Sequence, residues 1–404
     1  MSDTTVSTAG IALAPPRRSR LAVAASYAAQ GAAYAAIVTA LPVFKDRYGL
    51  DDLVASGLIL IVVITAALGS LLADWIAVRW GSRVALITGL AIEAVALITA
   101  ATPVPLPIFI AAIALFGIGL GSVDASSAMQ GVLVQRKYGR QLLGSFFACY
   151  TVAAMLTALA MSLSISIALG GTIALIAAGL LAAIVAIWGV GSFDRDRAAR
   201  EPRTKGSVKL PTSGIMIFGF VIFAAFTLDS TVSTWSTVYL GGLLEGDASF
   251  DGFTVPWGVL GAAAIAPLGY AVYQLAILVT RLVTDRLSRR WGAPGVAMIT
   301  AAAAIVGCVS VAMIGSPIAV ILGFALAGVG VGALVPLAFS GAGRLVPARS
   351  DEVIARVNLF NYAGAVIGGV VPGILSEGVG LGLVFLLPAI VLVPIVAMLR
   401  WFAR

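Results

Sequence analysis

A single polar stretch, Ser192–Ser213, reading SFDRDRAAREPRTKGSVKLPTS, interrupts an otherwise nearly continuous apolar chain of 404 residues almost at its midpoint. On either side the sequence is broken only by short polar turns. Apolar residues make up 60% of the chain and charged residues 11%, against about 25% charge in a soluble domain. Water is therefore the wrong solvent for most of it, and mean hydropathy is +1.07. About 20 apolar residues cross a bilayer core as helix. The pattern predicts an all-α integral membrane protein with twelve spans in two pseudo-symmetric six-helix bundles. The expected spans are Leu21–Phe44, Leu53–Val78, Val84–Thr102, Leu106–Val134, Leu142–Ser164 and Leu169–Val190, then Gly214–Leu240, Val259–Leu287, Gly295–Met313, Pro317–Gly341, Val353–Ile374 and Leu381–Phe402. The units implied are a disordered tail 1–20, a first bundle 21–191, a linker 192–213 and a second bundle 214–404. No cleaved signal peptide is expected, because no small-residue cleavage site follows a short apolar core.

The net charge is +7, and where the charges stand excludes nucleic acid as the reason. Arg17, Arg18, Arg20, Arg79, Arg83, Arg136, Lys137, Arg140, six basic residues of the linker, Arg286, Arg289, Arg290, Arg344, Arg349 and Arg404 all fall on one side if the spans alternate. Arg281, Arg356 and Arg400 are placed in terminal turns on that same side. The other side holds Lys45 and Arg47 among Asp46, Asp51, Asp52, Glu245, Asp247, Asp251 and Glu377. By the positive-inside rule both termini and the linker are expected in the cytoplasm. Histidine is absent, which removes His-based metal sites, bases and relays. Cys149 and Cys308 lie inside apolar spans as free thiols. Neither a metal centre nor a cofactor is expected.

The halves repeat. Asp74-Trp-Ile-Ala-Val-Arg79-Trp80-Gly81 and Asp285-Arg-Leu-Ser-Arg-Arg290-Trp291-Gly292 both read D-x4-R-W-G, 211 positions apart. Gly117-Ile-Gly119-Leu-Gly121 and Gly328-Val-Gly330-Val-Gly332 share that offset. An Asp and an Arg at a helix end before a Gly turn make a clasp in which the Arg reaches helix C-terminal carbonyls and the Asp pairs with it or with a neighbouring N-terminus. With Gly69, Asp74, Arg79, Gly81 and Arg83 between the second and third spans, the chain resembles the major facilitator superfamily of transporters over Leu21–Phe402. Asp74 lies one turn earlier than the family's acid, which falls near Val78. The resemblance implies two six-span halves with a cytoplasmic gating motif, here Gly69, Asp74, Arg79, Gly81, Arg83 and its repeat Asp285, Arg290, Gly292. A narrower similarity is to small bacterial inner-membrane permeases of unassigned substrate, and distantly to fucose permeases. It rests on Gly121-Ser-Val-Asp124, Gln130-Gly131-Val132, Tyr138-Gly139-Arg140, Trp235-Ser-Thr-Val-Tyr239-Leu and Val335–Ser340. That group's Asn near Ala128, His near Phe147 and acid near Thr234 are missing.

Three acids lie at mid-span: Glu93, Asp124 and Asp229. An ionised carboxylate there costs about 3 kcal/mol, so each must hold a proton, face water or meet a cation. These are the candidate proton-coupling groups. Asp124 leads, because the resemblance implies coupling at the acid of the fourth span. Polar residues at helical spacing mark inward faces: Tyr27, Gln30 and Tyr34; Ser233, with Trp235 beside it, following Asp229; Tyr270, Tyr273 and Gln274; Asn358, Asn361 and Tyr362. They suit a polar, largely uncharged solute, or a cation facing the acids. No nucleophile–base pair or paired carboxylates are visible, so an enzyme is not expected, and no appended soluble domain suggests a sensor. The sequence reads as a monomeric, multi-pass transporter of the bacterial inner membrane, working by alternating access. Proton-coupled symport of a small polar solute leads, and proton-driven export of a drug-like or biosynthetic compound is the alternative. Its partners are the solute, protons and the lipid bilayer.

Overall fold

A computed structural model of the chain describes residues 17–139, 142–167, 171–195, 210–247, 250–256, 258–346 and 350–395. It is built from helices α1 (Arg17–Thr39), α2 (Leu41–Tyr48), α3 (Asp52–Trp80), α4 (Ser82–Ala101), α5 (Leu106–Tyr138), α6 (Leu143–Ser166) and α7 (Thr172–Ser192), followed by α8 (Thr212–Glu245). A small antiparallel hairpin comes next, β1 (Phe253–Val255) with β2 (Gly258–Leu260), in which Thr254 faces Val259. Then come α9 (Ala262–Ile314), α10 (Pro317–Leu345), α11 (Ser350–Val379), α12 (Leu381–Val384) and α13 (Leu386–Leu392). Among the described residues ten helices are long and apolar enough to cross a membrane. The 53-residue α9 holds two of the expected spans, divided where Gly292 leaves helical geometry. In lipid every backbone N–H and C=O must be satisfied within its own segment, which is why these apolar runs are helical.

The boundaries differ from the sequence reading at both ends. The first helix already starts at Arg17, so its opening turn takes in residues expected in the tail; the rest of the tail lies outside the described residues, as does linker 196–209. The twelfth span is broken into α12 and α13. Pro388 has no N–H to give to the carbonyl four residues back, at Val384, and Pro394 withholds one at Ile390. The span's expected end, 396–402, lies outside the described residues.

The outer surface is apolar: Ile187 is 75% and Ile318 72% exposed, which suits acyl chains and no other solvent. The first seven helices join the rest through α3 on α11, α6 on α9, and α1 and α2 on α8. Apolar packing is continuous across this seam, with Ala35, Val38, Ala55, Ala154 and Ala158 in the same cluster as Val232, Trp235 and Tyr270. The β1–β2 hairpin marks one end of the molecule, here the hairpin end. At the opposite, linker end Arg83 donates to the Val190 carbonyl (3.0 Å) and Lys137 pairs with Asp194 (2.5 Å). Gln130 brackets Asp194, donating to its carbonyl (3.1 Å) and accepting from its N–H (2.9 Å).

The repeat is present in three dimensions. Gly81 (φ +95°, ψ +155°) and Gly292 (φ +74°, ψ +155°) turn the chain in the same way after their Arg-Trp pairs. A side chain is strained at such a positive φ. A Cβ on Gly117 or Gly121 would run into Val62 to Ala66 of α3, and one on Gly328 or Gly332 into Tyr273 to Thr280 of α9. Reciprocal bonds close the first contact: Ser122 Oγ donates to the Gly69 carbonyl (2.9 Å) and Ser70 Oγ to that of Gly121 (3.1 Å). Small residues are what let membrane helices approach this closely. Gly121→Val is expected to force α3 and α5 apart at a cost of about 1–3 kcal/mol, and Gly332→Val to do the same to α9 and α10. Gly144→Ala, where a Cβ meets nothing within 4 Å, should leave the melting temperature in detergent unchanged while the other two lower it by several degrees.

Candidate functional site

The three mid-span acids come to the interior of the molecule, in two clusters joined by tyrosines. In the first, Gln30 of α1 donates to Asp124 of α5 across 3.1 Å. Gln30 is itself buried, and Ser26 and Ser127 share a hydrogen bond (3.1 Å) between the same two helices. Along the described part of α5 between Phe109 and Val134, the only residues exposed outside its first turns are Asp124 and Ala128, one turn apart. They lie on a different face from exposed Pro107 and Ala111, and Asp124 is turned towards α1, where Gln30 meets it. On α10, Pro336 and Ser340 are likewise exposed one turn apart, each one residue past the position that the 211-residue offset gives. Tyr27 is buried, stacked on Phe146 (5.6 Å between ring centres) and edge-on to Phe147 (5.2 Å), within electrostatic range of Asp124.

Glu93 lies behind this cluster. It is fully buried on α4, against Gly119 of α5, and neither carboxyl oxygen has a hydrogen-bond partner. A carboxylate buried in this way without a partner carries a large desolvation cost when ionised.

The second cluster surrounds Asp229 at the middle of α8. Tyr273 of α9 donates to Asp229 Oδ1 at 2.6 Å, and Gln274 donates to the Tyr270 hydroxyl at 2.5 Å. Tyr34 of α1 and Ser233 of α8 adjoin these rings. The Ser236 and Thr237 hydroxyls are buried without hydrogen-bond partners among the described residues. Tyr150 of α6, absent from the sequence reading, lies within electrostatic range of both Asp124 and Asp229. It reaches this place because Gly31 lets α1 lie against the α6 backbone at Tyr150.

Arg281 was placed in a terminal turn by its sequence position. It stands instead ten residues before Trp291, about 15 Å inside the helix, and donates to Thr151 Oγ1 of α6 at 3.0 Å. Asp229, Tyr273 and Tyr150 are within its electrostatic range. Of the three acids, Asp229 therefore has a cation within range.

Other candidates stand elsewhere. Trp235 is fully buried; its indole N–H donates to the Gly369 carbonyl (2.9 Å) and its ring packs by Gly373, tying α8 to α11. Asn358 and Asn361 are half-buried and make no hydrogen bond among the described residues, and Tyr362 is exposed; no bond joins them to either acid cluster. At the linker end Asp74 is exposed, Arg79 lies over the Trp75 ring (4.3 Å), and Asp285 and Arg290 are exposed. The capping of a helix C-terminal carbonyl expected of the Arg before the glycine turn is made by Arg83, one residue past that turn's Ser82. No group of residues suited to hold a metal ion occurs among the described residues.

The hairpin end is sealed between α3 and α11. Asp52 pairs with Lys45 and accepts from Ser376 Oγ (2.9 Å). Ser56 and Gly373 meet one turn further in, followed by Ile59 and Gly369.

Lipid-facing helices around a polar, charged interior that is sealed at one end define a membrane protein built to pass a solute. The chain belongs to the Major Facilitator Superfamily, whose family model matches residues 23–270 and 263–404. It is 26% identical over 377 residues, 93% of each chain, to an uncharacterized MFS-type transporter of Yersinia pestis. It is 30% identical over 291 residues to an uncharacterized transporter of Sinorhizobium fredii, covering 69% of this chain and 70% of that one. Among solved structures a mutant of the nucleoside transporter NupG superposes with a TM-score of 0.73 at 15% identity, covering 95% of this chain and all of the other. The protein is thus a transporter with the major facilitator fold and not an enzyme.

The seal gives a direct test. With Cys149 and Cys308 replaced by Ser, the pair Ser56→Cys and Gly373→Cys should cross-link efficiently under mild oxidation. Adding Asp52→Ala, which removes the acceptor for both Lys45 and Ser376, should lower the cross-linked fraction several-fold. An unchanged fraction would show that these bonds do not hold the end closed.

Proposed function

We propose that this transporter takes up a small polar solute together with protons, by alternating access. Two halves, 21–191 and 214–404, rock about the site between them, joined by the linker 192–213. The protein works as a monomer in the bacterial inner membrane, with its Arg-rich linker end in the cytoplasm. That placement is supported by the crowding of Arg and Lys at this end, which follows the positive-inside rule.

The observation that carries the coupling is the setting of Asp124. It is a mid-span carboxyl open to the interior, held by one hydrogen bond from Gln30, with no basic group within ion-pair distance among the described residues. While the interior is open, water supports the charge. Closing the helices around an ionised carboxylate removes that water at a cost of several kcal/mol. Loading a proton removes the penalty, so the protonated carrier closes and the ionised one resists. Asp229 has a tyrosine donor and Arg281 in range, and Glu93 is a buried neighbour within electrostatic range of Asp124. Environments that push carboxyl groups apart in this way commonly divide their roles.

The solute is first sought by thermal shift among sugars, nucleosides, organic acids and amphipathic cations. In right-side-out vesicles an inward proton gradient should then drive its accumulation. Asp124→Asn should reduce accumulation to background while leaving gradient-independent exchange in place. Accumulation at the wild-type level in the variant would remove Asp124 from the coupling role, and depletion driven by the same gradient would reverse the direction.

A further inference from the structure

Arg281 is the basic side chain farthest from a helix end among the described residues, and it does not meet a carboxylate at ion-pair distance. Its one hydrogen bond, to the neutral Thr151 hydroxyl, satisfies one of five N–H donors. Asp229 is near enough to feel its charge, but the carboxylate's Oδ1 is occupied by Tyr273. Arginine keeps its proton under all ordinary conditions, so it cannot do what Asp124 and Glu93 can, which is to enter a closed interior as a neutral group. It is half-buried as it stands, so water can still reach its free N–H groups while the interior is open. When the helices close, that water has to be replaced by an anion.

We propose that the solute carries a carboxylate, and that Arg281 binds it. The planar guanidinium fork fits a carboxylate through two parallel bonds. A phosphate dianion suits the place less well: with Asp229 it would set three negative charges against the one fixed positive charge, where a monocarboxylate sets two. The remainder of the solute meets the Tyr270 and Tyr273 hydroxyls, Gln274 and Ser233, which favour hydroxyl, amide or amino groups over hydrocarbon. A monocarboxylate entering with one proton moves no net charge. Thr151, on α6, and Arg281, on α9, belong to opposite sides of the seam, so a ligand on Arg281 also acts where the halves meet. The assignment rests on the uptake reading for the position of the site.

Binding can be measured without any gradient. The purified full chain in detergent is melted with lactate, gluconate, nicotinate and glutamate, each against its amide, and with inorganic phosphate. At least one carboxylate should raise the melting temperature where its amide does not. Arg281→Gln should weaken that carboxylate at least about tenfold, and Arg281→Lys, which keeps the charge without the fork, by less. The Lys variant retains the test if the Gln variant fails to fold. Equal shifts from acid and amide, a shift surviving in Arg281→Gln, a shift from phosphate alone, or no shift from any carboxylate would each overturn the assignment. A neutral solute accumulated on a proton gradient would refute the carboxylate and spare the coupling, whereas intact carboxylate binding without gradient-driven accumulation would do the reverse.

Discussion

A carboxyl group at the centre of a bilayer-spanning helix has to be given water, a cation or a proton, and the three acids of this interior stand in three different settings. Asp124 is exposed on an otherwise buried helix face. Asp229 has a cation in range and a tyrosine donor. Glu93 is sealed against Gly119 with both oxygens unpartnered. None of these settings is available to an isolated helix in lipid. Each requires other helices at a particular distance, so the packing of the bundle and the ionic state of its interior are one problem.

That packing is set by glycines acting as a repeated ruler. The pairs Gly117/Gly121 and Gly328/Gly332 hold α5 on α3 and α10 on α9 at a separation no larger residue would allow. The 211-residue offset carries further than the two motifs that reveal it: Gly119 packs on Glu93, and its counterpart Gly330 packs on Ala304, which is 93 plus 211. The frame is the same in both halves, and in one of them a small apolar residue has been exchanged for an acid. Asp124 likewise falls opposite Val335, and Arg281 opposite Ser70. The groups that could carry chemistry are the places where the repeat is broken.

Much of this was readable from the chain because it is local. Apolar runs give spans; Gly at fixed spacing gives close approach; Gly81 and Gly292 give turns. The inward faces carrying Gln30, Asp229, Tyr270, Tyr273 and Gln274 followed from helical spacing alone, and the structure gathers them into the two acid clusters. Tyr150 and Thr151 were not readable, since α6 shows no polar stripe and their position depends on Gly31 of a helix more than a hundred residues away. Arg281 was obscured by its company. Standing four residues before Asp285 and five before Arg286, it looks like part of a terminal charge cluster, and only the continuation of the helix to Trp291 puts it inside. Trp235 shows the converse. Its place in a hydroxyl-rich run suggests a ligand contact, whereas its indole N–H is taken by the Gly369 carbonyl, a partner 134 residues away.

The division of charge between the halves explains why the seam matters. The cluster around Asp124 is anchored in α1 and α5, and the cluster around Asp229 in α8 and α9, with Tyr34, Tyr150 and Thr151 reaching across from the first half. Sliding one half over the other therefore changes the surroundings of Arg281 and Asp229 more than it changes the bond between Gln30 and Asp124, which lies within one half. At the hairpin end the same relative motion separates Asp52 from Ser376 and Ser56 from Gly373. Under the alternating access proposed above, loading a proton at mid-membrane and releasing the seal at the hairpin end would be linked through one displacement of rigid helices.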